Sequence, residues 1–196
     1  VSLLSTAAVQ VLSSDQLAGL SSSQVGALKQ VQVSALSSTQ LSQLGSAQAV
    51  GLTASQLGAI SSANLSTLST QAFAGLGVPA LAGMSTAQVN ALRTTQIKAL
   101  TTSQAAGLAA AQAQGLGSSQ LSALNTDGLT KLSSTAVSSL NAAALVGLSS
   151  NQMGTLQTVQ LAALTAQQAG GLTAEQTVNL SSSQAKALTA GVMTGM

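Results

Sequence analysis

An aliphatic residue returns at every eighth position of this chain. Starting at Leu4, the series runs Leu12, Leu20, Leu28, Leu36 and onward to Leu188 and Met196, with only Ile60 and Met84 replacing leucine on the way. No step fails and no insertion intervenes, so residues 5–196 divide into 24 consecutive octads. The consensus is [ST]-[ST]-x-Q-φ-x-[AG]-L, with φ an apolar residue. Clear copies are Ser21-Ser22-Ser23-Gln24-Val25-Gly26-Ala27-Leu28 and Thr101-Thr102-Ser103-Gln104-Ala105-Ala106-Gly107-Leu108. Position four is Gln in 16 of the 24 octads. So strict a period demands one structural unit used many times, each burying its apolar face on its neighbours.

One unbroken helix does not fit. Eight residues advance about 80° beyond two full turns, so the leucines spiral around the surface and leave no stripe to bury. A β-solenoid is the competing fold, and it fits poorly. Positions five and eight are both apolar, yet a strand points them to opposite faces. A third reading accounts for every position. Ser or Thr at position one with Gln at position four is a capping box, in which the hydroxyl accepts from the N3 backbone and the Gln side chain accepts from the cap residue's N–H. The preceding position-eight leucine then falls at N′ and position five at N4, the pair that forms a hydrophobic staple. Gly or Ala at position seven is expected to permit a sharp exit. The predicted fold is an all-α solenoid of 24 very short helices, one per octad. None is stable alone, because helix nucleation is costly.

Octads eight apart resemble one another more than octads three, four or five apart. This suggests 64-residue units over 5–68, 69–132 and 133–196 within one solenoid domain. Four octads per coil divides that unit evenly, and then Gln24, Gln56, Gln88, Gln120, Gln152 and Gln184 are expected to stack as a ladder.

Composition narrows the chemistry. The chain has no Cys, His, Trp or Tyr and one Phe, and 4% of its residues are charged. Disulfides, thiol chemistry, Cys or His metal sites and His-based catalysis are excluded. A net charge of +2 is too small for a nucleic-acid footprint, and the aromatic platforms of single-strand binding are missing. The longest apolar stretch, Ala72 to Met84, is interrupted by Gly75, Gly77, Pro79 and Gly83, so no membrane insertion is expected. Asp15, Asp127 and Glu175 all stand at position three, in the first turn of a helix, where negative charge suits the dipole. The serines and threonines have no base to activate them and read as caps. Met84, Met153, Met193 and Met196 occupy core positions rather than a cofactor site. No enzyme activity and no cofactor are expected.

Two features point to assembly. The octads around Phe73, Val78, Pro79 and Leu81 lack Gln at position four, and a similar patch recurs at Leu145 and Val146. These residues are candidate contacts of an apolar band with another chain, and Phe73→Asp is expected to weaken such lateral assembly. The repeat also enters and leaves in phase, without a polar capping unit at either end. Two expectations follow: continuation within a longer array, or end-to-end stacking of copies.

Octads such as Leu92-Arg93-Thr94-Thr95-Gln96-Ile97-Lys98-Ala99-Leu100 resemble the arrays of long secreted bacterial surface proteins described as adhesin-like or haem-utilisation-like. The resemblance implies an extracellular, cell-surface location and a structural role, with the chain itself as partner. Haem finds no His, Cys or Tyr to act as axial ligand. The expected function is a rod- or filament-forming segment. The alternatives are the stalk or binding module of a large adhesin, with its glycan or other ligand unspecified, and a water-ordering surface.

Overall fold

The structure, a computed structural model, describes the backbone of residues 1–194 and the side chains of residues 1–188. The expected core positions Met193 and Met196 lie outside the described side chains. Among the described residues there are 23 helices and no strand. All but the last span four to six residues. The fold is an all-α solenoid of short helices, and the β alternative falls away.

Most of these helices begin as the octad signal dictates, an exception being Val78–Leu81, which has Gly77 at its cap and no side-chain cap bond. Ser21 has φ −72° and ψ 162° and accepts from the Gln24 backbone N–H at 3.2 Å, while Gln24 Oε1 accepts from the Ser21 N–H at 2.8 Å. The two halves of the box are separable. At Lys29, Gly45, Arg93, Ala109, Gly117 and Gln157 the cap residue makes no side-chain cap bond, yet its N–H still donates to the glutamine three residues on. At Ser5, Ser61, Ser69 and Ser133 the hydroxyl caps and there is no Gln at position four.

The exits differ from expectation. Among the described residues none has a positive φ, glycine included. Position seven stays right-handed, as at Gly19 with φ −75° and ψ −9°. The position-eight N–H then donates to the position-five carbonyl, as Leu28 does to Val25 at 3.1 Å, which tightens the last turn. The corner itself is two successive extended residues: Ile60 with φ −72° and ψ 131°, then Ser61 with φ −60° and ψ 150°. Any L-residue adopts these angles, so the bend does not require glycine.

The last two octads depart from the pattern. They fuse into one helix, Ser182–Thr194, so Thr189 lies within a helix instead of capping one. The short-helix-per-octad expectation therefore fails at this point.

The chain forms two compact units, Val1–Leu100 and Thr101–Met196. In the first, helix Ala54–Ala59 packs on Gln30–Ser34, and Thr70–Gly75 packs on Ser46–Ala49. In the second, Ser134–Ser139 packs on Ala110–Gln114, and Thr126–Lys131 packs on Thr102–Ala106. In both, a helix rests on the third one before it. Between them lies the leucine spine: every position-eight residue from Leu28 to Leu164 is buried, facing buried position-five residues such as Val33, Leu57, Ile97, Leu121 and Leu161.

The long-range hydrogen bonds within each unit link residues 25 to 31 apart. Four whole octads require 32. The coil therefore closes on itself between three and four octads, and the even division of 64 residues into four-octad coils is not realised. A helix sits over the junction of two octads below it, which lets its start overlie another helix's end.

Candidate functional site

The candidate ladder is where the chemistry of this chain concentrates, and each glutamine serves two helices. In Gln56, Oε1 accepts from the Thr53 N–H at 2.8 Å, closing the cap of its own helix. Its Nε2 donates to the carbonyls of Val25 at 3.0 Å and Leu28 at 2.6 Å, at the end of a helix in the coil below. The Val25 carbonyl already accepts from the Leu28 N–H and takes the amide as a further donor, while the Leu28 carbonyl lies beyond the helix end, where no intrahelical partner is available. Gln88 repeats the arrangement on Leu57 and Ile60. Gln152 donates to Ser122 and Leu124, and Gln184 to Gly154 and Leu156. Gln120 is buried and closes the cap at Gly117. Gln24 is exposed and makes the cap bond with Oε1. The bonds of these amides run to backbone, so the rungs are joined amide to carbonyl rather than by glutamine stacked on glutamine.

The same device operates in Gln40, Gln96, Gln160, Gln168 and Gln176, all buried. Among the described residues no buried side-chain nitrogen or oxygen lacks a partner. Where Gln is replaced, the coil below is served in other ways. Asn64 Nδ2 reaches only the Leu36 carbonyl, at 3.3 Å. The Ser69 hydroxyl reaches Leu44. Where Gln is kept, at Gln96, Arg93 Nη2 joins it in donating to Leu68, at 2.9 Å.

The candidate apolar band is divided. Phe73, Leu81 and Leu145 are each no more than 2% exposed, sealed in the core of their own units. They stand at position five, as the core residues of other octads do, and they are not available to another chain. Val78 is half-buried, and Pro79 and Val146 are exposed. Pro79 sits in the first turn of helix Val78–Leu81, where a missing N–H costs no intrahelical bond. Consequently Phe73→Asp acts on folding: it places a charge in a closed core. Asp15, Asp127 and Glu175 lie in first turns, as their position in the octad implies.

Sequence reasoning missed one set of residues, the glycines at coil contacts. A Cβ on Gly51 falls 2.0 Å from the Ser22 carbonyl oxygen, on Gly83 2.0 Å from that of Ala54, and on Gly147 2.1 Å from that of Ser118. Their recurrence at position seven was visible, but only the packing shows that close approach, rather than backbone freedom, requires them.

The second unit has a shallow groove of about 330 Å³, lined by Gln114, Ser139, Asn141, Thr165, Gln167 and Gln168 among others. Two of its polar groups are already committed: the exposed Thr165 accepts the Gln168 N–H through Oγ1, and the buried Gln168 donates through Nε2 to Val137 and Leu140. No helix among the described residues is long and apolar enough to cross a membrane.

Comparison with known families matches the ALTTAQ repeat to residues 2–30, 68–102 and 80–110, which together cover well under half of the chain. The segment Ala99-Leu100-Thr101-Thr102-Ser103-Gln104 spells that motif in five of its six letters, as octad positions seven, eight, one, two, three and four. No curated protein matches the chain. The matched segments and the unbroken period support a repeat array similar to ALTTAQ repeats.

Proposed function

We propose that this chain is a structural segment that builds a rod or filament at a bacterial cell surface, outside the cell, and that it is not an enzyme. The observation that carries this reading is where the polar groups are spent. Twelve glutamines are buried, and those such as Gln56, Gln96 and Gln168 join one stretch of backbone to another. The hydroxyls of position one are spent on helix starts. What repeats is a device for adding another coil, so the capacity of the sequence is length.

Negative-stain microscopy of the purified chain tests the proposal. Fibres of uniform width support it. Isolated short rods at all concentrations favour a stalk or binding module instead, and thermal hysteresis of the solution identifies a water-ordering surface.

A further inference from the structure

We infer that each unit contains one joint between coils that parts before the others, at the place where three successive octads carry no glutamine at position four. The inference concerns a single chain and holds whether or not copies assemble. In the first unit the run is 61–84, with Asn64, Ala72 and Ala80 at position four. In the second it is 125–148, with Gly128, Ala136 and Ala144, exactly 64 residues further on.

In the first unit the joints on either side of this one are latched by amides. Below it, Gln40, Gln48 and Gln56 donate to the carbonyls of Leu12 at 2.9 Å, Leu20 at 3.0 Å and Leu28 at 2.6 Å. Above it, Gln88 and Gln96 donate to Ile60 at 2.7 Å and Leu68 at 3.0 Å. Between them the acceptors keep the same spacing, but the donors are short. Asn64 reaches Leu36 at 3.3 Å, the Thr67 hydroxyl reaches Ser38 at 3.2 Å and the Ser69 hydroxyl reaches Leu44 at 3.3 Å. The Leu52 carbonyl, 28 residues before Ala80, receives no donor from a described residue. The second unit repeats the contrast. Gln152, Gln160, Gln168 and Gln176 donate to Leu124, Leu132, Leu140 and Leu148. The carbonyls of Leu108 and Leu116, 28 residues before Ala136 and Ala144, receive no such donor.

Apolar contact holds these two joints. Helix Thr70–Gly75 rests on Ser46–Ala49 in one, and Ser134–Ser139 on Ala110–Gln114 in the other. Ala72, Phe73, Ala80 and Leu81, and likewise Ala136, Val137, Ala144 and Leu145, are no more than 3% exposed. Apolar attraction is non-directional, so it keeps two coils together without fixing their register. Each amide bond fixes the register and adds its own net stabilisation. A latched joint parts only when several such bonds break together, whereas the joint of small side chains has few or none to break. The latched coils on each side therefore move as blocks, and the unit yields to strain by shear at the joint between them.

The test is thiol labelling of the full chain. The sequence has no cysteine, so one introduced thiol reports opening without background. Ala136→Cys places it in the apolar joint. Met153→Cys places it in the joint that Gln152 and Gln160 latch to Leu124 and Leu132, and both positions are 0% exposed. Labelling by Ellman's reagent under native conditions gives the opening rate, and urea titration followed by circular dichroism gives the global stability of each variant. The Ala136→Cys thiol should react at least about tenfold faster than the Met153→Cys thiol, and faster than global unfolding allows. Adding Gln152→Ala and Gln160→Ala to the Met153→Cys variant should raise its rate to that of Ala136→Cys, because neither joint then has its latches. Should Ala136→Cys not fold, Ala144→Cys reads the same joint. Equal rates at the two sites, faster labelling at Met153→Cys, or a Met153→Cys rate that ignores removal of the two glutamines overturns the inference.

Discussion

Gly51→Ala adds a single methyl group, and the structure says it does not fit. The new Cβ would lie 2.0 Å from the Ser22 carbonyl oxygen, 2.7 Å from its carbon and 2.9 Å from its Cα. All three are backbone atoms, so no rotamer change relieves the clash. Ordinary contact requires the two coils to separate by more than 1 Å at this point. Such a gap forfeits a quarter to a half of the dispersion energy across it. It also stretches the bonds beside it, from Gln48 Nε2 to the carbonyls of Ala18 at 2.8 Å and Leu20 at 3.0 Å. Overpacking costs about 1–3 kcal/mol, and each strained hydrogen bond adds roughly 0.5–1.5 kcal/mol. The expected loss is about 2–6 kcal/mol in the first unit. The counterpart is Gly170→Ala, where a Cβ meets nothing within 4 Å. There the same substitution within a helix should stabilise by about 0.5–1 kcal/mol through helix propensity. Urea titrations followed by circular dichroism at 222 nm measure both. If Gly51→Ala proves neutral or stabilising, residues 22 and 51 are not in backbone contact, and the coil register described above is wrong.

Other substitutions probe the remaining links. Gln96→Leu, at a site 0% exposed, removes the bond to the Arg93 N–H and the bonds to the Leu65 and Leu68 carbonyls. A loss of about 2–4 kcal/mol is expected on denaturant unfolding. A loss below that of an exposed substitution such as Gln114→Leu would show that the amide bonds do not hold the coils. Phe73→Ala should cost about 3–5 kcal/mol by leaving a cavity, and its effect should be independent of protein concentration because the ring lies within one unit. A concentration-dependent loss would return Phe73 to an intermolecular role. Ala109→Ser supplies the hydroxyl that completes the box with Gln112, at a cap with φ −76° and ψ 163°, close to the angles of Ser13. It should raise stability by about 0.5–1 kcal/mol, visible as a shift of the urea midpoint.

The helices were legible in the sequence because their signals are local. A cap at Ser21, an amide at Gln24 and a staple between Leu20 and Val25 act within six residues, and their energies do not depend on what lies beyond. The same holds for Asp15, Asp127 and Glu175, whose place in the octad sets their place in the first turn. Burial of the leucine spine followed from the period alone.

What lies between coils belonged to the tertiary structure. Whether 24, 28 or 32 residues complete a turn depends on how side-chain layers settle on one another, and every octad carries the same local signal whichever number wins. The second bond of Gln56, the closeness of Gly51 to Ser22, the enclosure of Phe73 and the exposure of Val146 all follow from tertiary packing. None has a local signature. An amide spaced for a capping box looks the same in the sequence whether its other end faces water or a carbonyl 28 residues away, and only packing decides which it meets.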